Sequence, residues 1–307
     1  MPDLPPGSGG AGEPAPFPPK KDPGVTFTWN QTRGILTFGG TNAEPAEITS
    51  LVEEARSRGW RGITFNTCAE TSFWDSQGTP WAANATPDPF DGEENLEQLE
   101  RYLDATASAG VQVLLNVYCT VRDEPRSVVP DARFFRFART VAGMAGEYNH
   151  VHLSVANEWW HRSASTESRL RAPGAMERAI SEIRASGYSR DITSDSNFFI
   201  NRFGEEVIEF DSIGGRLYPP TAHPWRSPNP TKSQLRRMAQ RYPDLVITEP
   251  TAYSTTRGGG CCTADRAEIV RYMCDAEFVG IIWFYHSTDG LGWPNMGSFE
   301  WLPRGVC

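Results

Sequence analysis

Two glutamates in this chain stand in settings that suit acid–base and nucleophilic chemistry. The first closes the stretch HVHLSVANEWW, in which Val151, Leu153 and Val155 alternate with His152, Ser154, Ala156 and Glu158. Such alternation predicts a strand with one apolar and one more polar face, and it assigns Glu158 to the polar one. The strand then breaks off in an amide, a carboxylate and two indoles: Asn157, Glu158, Trp159 and Trp160. The second glutamate lies in DLVITEPTAY, residues 244–253, where Leu245, Ile247 and Glu249 share a parity. Two carboxyl groups facing one pocket acquire different pKa values, so that one stays protonated and the other ionised. At a glycosidic bond the first protonates the leaving oxygen and the second attacks the anomeric carbon. Taken singly, the first stretch reads equally well as a buried strand with a polar terminus, Trp159 and Trp160 filling a core, and either glutamate alone is weak evidence.

What brings such residues together is the order of elements around them. Strand patterns begin near residues 34, 61, 111, 150, 191, 211, 244 and 278. Helical patterns lie between most of them, at 44–59, 95–110, 131–148, 172–187, near Glu205, at 231–242 and at 264–275. Gly59 and Gly110 sit where helix C-caps belong. Eight strand-helix units predict an α/β fold, a (β/α)8 TIM barrel over residues 25–307. The competing doubly wound open sheet would show a phosphate-binding glycine loop, and Gly39-Gly40-Thr41 has neither the GxGxxG nor the GxxxxGK[ST] spacing. In the barrel, Glu158 ends strand four and Glu249 ends strand seven, opposed strands whose C-terminal ends open on one pocket.

Aromatic residues surround these ends. Trp74, Trp81, Trp159, Trp160, Trp225 and Trp293 fall in loops after strands, and Tyr118 closes strand three. Aromatic faces match the apolar faces of pyranose rings, although large aromatics also anchor long loops. His161 and His286 are candidate substrate contacts or hydrogen-bonded structure, and Asp289 reads as a turn residue in STDG. No HExxH or comparable cluster points to a metal or cofactor, and the six cysteines lack zinc-like CxxC pairs. Cys68 and Cys119 close adjacent strands two and three, which predicts a disulfide between them.

Composition bounds the partners. A formal charge of -9 and the lack of a basic patch argue against nucleic acid. No apolar run approaches the roughly 18 residues that span a bilayer, so membrane insertion is not expected. Residues 1–24, rich in Pro and Gly, read as a disordered arm or linker without the apolar core of a secretory signal. The expected setting is extracellular or surface-associated, with a polysaccharide or oligosaccharide as partner; oligomeric state is not legible.

With these residues in place, the chain resembles the clan A glycoside hydrolases, the barrel superfamily that contains the family 5 cellulases and mannanases. The resemblance rests on Asn157-Glu158 ending strand four, Glu249 ending strand seven, Tyr218 near the end of strand six and Trp283 in strand eight. It implies that Glu158 is the acid/base and Glu249 the nucleophile. It further implies that Asn157 binds the sugar 2-hydroxyl, that Tyr218 donates to Glu249 and that Trp283 is a sugar platform. Two positions depart from the family 5 pattern: Asn66 stands where an arginine is usual after strand two, and Arg216 stands where a histidine precedes the strand-six tyrosine. Arg216 would either hold Glu249 ionised by charge pairing or bind an acidic sugar. The function expected is retaining, endo-acting hydrolysis of a β-linked polysaccharide, with β-mannan or β-glucan implied by the resemblance alone. The alternative is a non-catalytic carbohydrate-binding barrel tethered to a surface or larger particle, which would have no need to desolvate a carboxylate pair. A barrel using the two glutamates as metal ligands lacks the further His or Asp partners.

Overall fold

The computed structural model describes residues 35–38, 52–66, 93–119, 131–157, 169–194, 198–200, 206–208, 221–222, 232–254 and 280–286. Its strands, in chain order, are β1 (Ile35–Phe38), β2 (Gly62–Asn66), β3 (Gln112–Cys119), β4 (Val151–Asn157), β5 (Ile192–Thr193), β6 (Phe198–Ile200), β7 (Glu206–Ile208), β8 (Thr221–Ala222), β9 (Val246–Ser254) and β10 (Gly280–His286). The helices are α1 (52–57), α2 (Glu93–Ala109), α3 (Asp131–Gly146), α4 (Ala175–Ala185) and α5 (Lys232–Arg241).

Eight strands form one sheet in the order β5-β4-β3-β2-β1-β10-β9-β8, and every pairing in it is parallel. The first strand pairs with the last, β1 with β10, and from that seam the order runs outward in sequence on both sides. This is the cyclic order of a (β/α)8 barrel, not the split order of a doubly wound sheet. The short strands β5 and β8 are the two ends of the described sheet. Strands β6 and β7 stand apart as an antiparallel pair. The helix expected near Glu205 is thus corrected at Glu206–Ile208, where pairing with Phe198–Ile200 outweighs a short and weak helical pattern. The stretch 211–220, expected as strand six, lies outside the described residues, as do residues 1–24 and the helix expected at 264–275; the strand next to β9 is Thr221–Ala222.

One face of the sheet meets the helices. Ile63, Val113, Leu115, Val117, Val151, Leu153, Val155, Ile192 and Leu245 join a single apolar core. From the helices come Val52 and Ala55 of α1, Leu99 and Leu103 of α2, Phe134, Ala138, Val141 and Ala142 of α3, Met176, Ala179, Ile180 and Ile183 of α4, and Leu235 and Met238 of α5. The three- and four-residue spacing of these helical positions gives each helix one apolar stripe. Each fully buried aliphatic or aromatic side chain contributes about 1.5–3 kcal/mol. Alternating with the sheet's core residues are Thr64, Gln112, Leu114, Asn116, His152, Ser154, Thr193 and Val246, which are buried but lie outside that cluster, on the barrel's inner face.

The turns back into the sheet are tight. Gly59 (φ 92°) and Gly110 (φ 65°) end α1 and α2 in the left-handed region. The N–H of Trp60 reaches Ala55 O and that of Gly59 reaches Arg56 O, both at 2.9 Å; Val111 and Gly110 repeat the pattern on Thr106 O and Ala107 O. These are Schellman closures, which hand the chain directly to β2 and β3.

Candidate active site

The C-terminal end of β4 is held from below. Ser154 Oγ and Ser194 Oγ both donate to Ala156 O, each at 3.3 Å, immediately before Asn157. Asn157 is the last residue of the strand and pairs with Cys119 of β3; Glu158 follows it in the chain. Beneath this end Asn66, Asn116 and Ser154 share one register row, and Asn116 and Ser154 are buried. One row spacing lower lies His152, where burial, reinforced by the charges of Arg190 and Arg184, pushes its pKa down to about 3 and keeps the ring neutral.

On the opposite side Glu249 does not end its strand. β9 continues to Ser254, and its register with β10 breaks at the glutamate. Thr248 pairs with Ile282 and Ala252 pairs with Phe284, so Glu249, Pro250 and Thr251 span the length that Trp283 alone spans in β10. This is a bulge with two extra residues.

Register also fixes the relative heights. Thr248, Ile282, Ile35, Gly62 and Gln112 lie in one row, and Val113, one residue on, pairs with Val151. Counting up β4 from Val151, Asn157 is about seven residues above that row, and Ala252 about two above it. A barrel of shear eight tilts its rows by about one residue per strand, so the five steps from β4 to β9 remove about five. In an ideal closed barrel of that shear, Asn157 and the Glu249–Ala252 stretch would come to nearly the same height.

The remaining expected site residues divide into three groups. Tyr118 is corrected: it is 1% exposed, its ring stacks on Phe134 at 4.3 Å between centroids, and its hydroxyl donates to Phe134 O at 2.9 Å. It ties β3 to the first turn of α3 and is packing, not a sugar contact. Trp283 and His286 are on β10, in different rows: Trp283 shares a row with Leu36 and Ile63, the row of a helix-side core residue, whereas His286 has the parity of Ile282 and pairs with Ser254. Glu158, Trp159, Trp160, Trp74, Trp81, Trp225, Trp293, His161, Arg216, Tyr218, Asp289 and Cys68 lie outside the described residues. Two features escaped the sequence reading. Asn116 looked like an ordinary residue of an apolar run, but its row with Asn66 and Ser154 puts it on the inner face; Pro250, an imino acid inside a central strand, was a visible signal for the bulge.

No protein-family model matches this sequence, and no curated protein matches it. Solved structures do share its fold. A glycoside hydrolase family 5 protein from Bacteroides vulgatus superposes with a TM-score of 0.58 at 9% identity, covering 85% of this chain and 59% of that one. An endocellulase from Pyrococcus horikoshii, in complex with cellotetraose, gives 0.56 at 13% identity over 88% and 89% of the two chains. An endo-1,4-β-mannanase from Rhizomucor miehei gives 0.56 at 11% identity over 84% and 85%. Against the first three such structures this chain spans 53–61% of the partner's length. What these structures share with this chain is the fold, a (β/α)8 barrel. At 9–13% identity the likeness is one of architecture, not of sequence.

Proposed function

We propose that this chain is a retaining glycoside hydrolase that cleaves a β-linked polysaccharide internally, with Glu158 as acid/base and Glu249 as nucleophile. What supports this reading is the strand order, which sets the Asn157 end of β4 and the Glu249 stretch of β9 five strands apart in one parallel, barrel-ordered sheet. In the first step Glu158 protonates the glycosidic oxygen as the C1–O bond breaks, and a Glu249 carboxylate oxygen bonds to C1. In the second, Glu158 takes a proton from water, which displaces Glu249. Direct attack needs the two carboxyl groups about 5–5.5 Å apart. Asn157 would bind the 2-hydroxyl, Tyr218 and Arg216 would hold Glu249 ionised, and Trp74, Trp159, Trp293 and His286 would contact sugar; Trp283, in the helix-side row, leaves that set. β-Glucan and β-mannan are the favoured substrates, because the similar structures include an endocellulase and an endo-mannanase.

The test is product analysis on a panel of β-glucans, β-mannans and other polysaccharides, with two variants. Glu249→Ala should abolish turnover of every substrate. Glu158→Ala should lose about 10²–10⁴-fold on polysaccharide but far less on aryl glycosides whose leaving group departs without protonation. Silence of the wild type on the whole panel, with binding retained, would instead make the chain a carbohydrate-binding barrel.

A further inference from the structure

The register of β9 poses a problem for its glutamate. In an unbroken ladder Glu249 would enter the row of Trp283, Leu36, Ile63 and Val113. Ile63 and Val113 in that row are fully buried in the core between sheet and helices. Leu245, the residue just before β9, joins the same core, and Glu249 has its parity. A carboxylate in that layer would be a buried charge among apolar side chains and useless to a substrate at the barrel mouth. The chain avoids this at one place. β9 is an inner strand of the described sheet, paired with β8 at Val246 and Ile247 and with β10 on both sides of the register break. Proline has no N–H for the ladder, and in a flanked strand it is accommodated at a bulge. Pro250 directly follows the glutamate, and the bulge of Glu249–Thr251 is where it stands. Because the bulge adds two residues, the alternation resumes unchanged: Ala252 returns to the inner-face row of Phe284, Thr37 and Thr64.

We propose that Pro250 is a positioning residue for the nucleophile: by holding β9 out of register it keeps Glu249 out of the helix-side row. The inference rests on the hydrolase reading above. Valine at 250 restores an N–H and a strand preference, so the ladder closes and Glu249 is drawn towards the core. Glycine restores the N–H with no such preference and leaves the bulge optional.

The experiment uses the full chain and 2-deoxy-2-fluoro glycosides of glucose and mannose with a dinitrophenolate leaving group. Attack by a Glu249 oxygen on C1 expels dinitrophenolate and leaves a fluoroglycosyl ester, read as added mass on the peptide containing Glu249. Wild type and Thr251→Ala should label at similar rates. Pro250→Val should label, and turn over aryl glycosides, at least about 100-fold more slowly with KM little changed, the cost of a misplacement of about 1 Å. Its acid limb should move to higher pH, since a carboxylate withdrawn into apolar surroundings is harder to ionise. Pro250→Gly should fall between the two, and it decides the matter if Pro250→Val does not fold. Wild-type labelling at Glu249 with unchanged rates and acid limb in the folded Pro250 variants would overturn the positioning role and leave the hydrolase intact. No labelling and no turnover in wild type would overturn the hydrolase reading itself, and this inference with it.

Discussion

His150 shows how a single side chain at the base of β4 couples the fold to pH. It is fully buried, and its Nε2 lies 2.9 Å from Thr106 Oγ1. The threonine's own proton is directed to Leu103 O at 2.9 Å, so the imidazole is the donor. Beside it Tyr148 packs edge-on at 5.5 Å and donates its hydroxyl to Asp104 at 2.8 Å, while burial and that carboxylate push the phenol's pKa well up. Burial lowers the His150 pKa to about 4; a backbone bond at Leu103 and Asp104 oppose this, and Arg190 adds to it. Above its ordinary value of 6.5 the ring is neutral in both folded and unfolded chains, and its contribution to stability is complete. As pH falls from there towards 4, the unfolded chain takes up a proton that the folded chain refuses, so stability declines, by about 3 kcal/mol for this group. His152 acts in the same direction. Urea titrations at pH 7, 5 and 4 should show His150→Gln losing clearly less stability than wild type over that range; equal losses would remove His150 from the account. Tyr118 carries a different lesson at this scale. A tyrosine ending a barrel strand reads as a cleft residue, and only the folded chain shows Phe134 offering it both a ring and a carbonyl.

Helix α3 is fastened to the sheet by one side chain from another unit. Arg190 donates to Ala145 O and Tyr148 O at 2.8 Å each and lies over the Tyr188 ring at 4.8 Å. A cation at a helix C-terminus satisfies carbonyls that the helix leaves open and suits its dipole. Arg190→Ala should cost about 2 kcal/mol, discounted from the buried case because the guanidinium is partly exposed, and Arg190→Lys should recover only part, since an ammonium cannot span both carbonyls. Chemical denaturation would read both, with activity per folded molecule unchanged. Gly59 offers a cleaner test. A Cβ there would meet nothing within 4 Å, so Gly59→Ala isolates the conformational cost of φ 92°, about 1 kcal/mol. A loss near zero would mean that the turn relaxes freely. At this scale the helices were readable because their apolar spacing is local. The β6–β7 pair and the bulge were not: the first depended on two short segments finding each other, and Pro250 was passed over when residues 244–253 were taken as an uninterrupted strand.

For the whole molecule, the barrel and the acidic surface set the expectations. A charge of -9 gives a neutral polysaccharide no long-range attraction, so binding should respond little to salt. Removal of the Pro- and Gly-rich residues 1–24, read from composition as an arm, should leave the melting temperature within about 1 °C and the turnover number unchanged. A drop of several degrees would show that the arm belongs to the fold.

The sequence by itself determined the architecture and the chemistry on offer. Strand and helix periods are written in neighbouring residues, and their alternation implied the barrel before any contact was known. Asn157-Glu158 and Glu249 were visible for the same reason, as carboxylates in or just after apolar strands. Tertiary structure decided which parity of the described strands faces the helices, and that β9 breaks register at Glu249. Those are properties of pairing between strands far apart in the chain. A sheet row such as Thr248, Ile282, Ile35, Gly62 and Gln112 is assembled from five separate strands, and no window of neighbouring residues contains it.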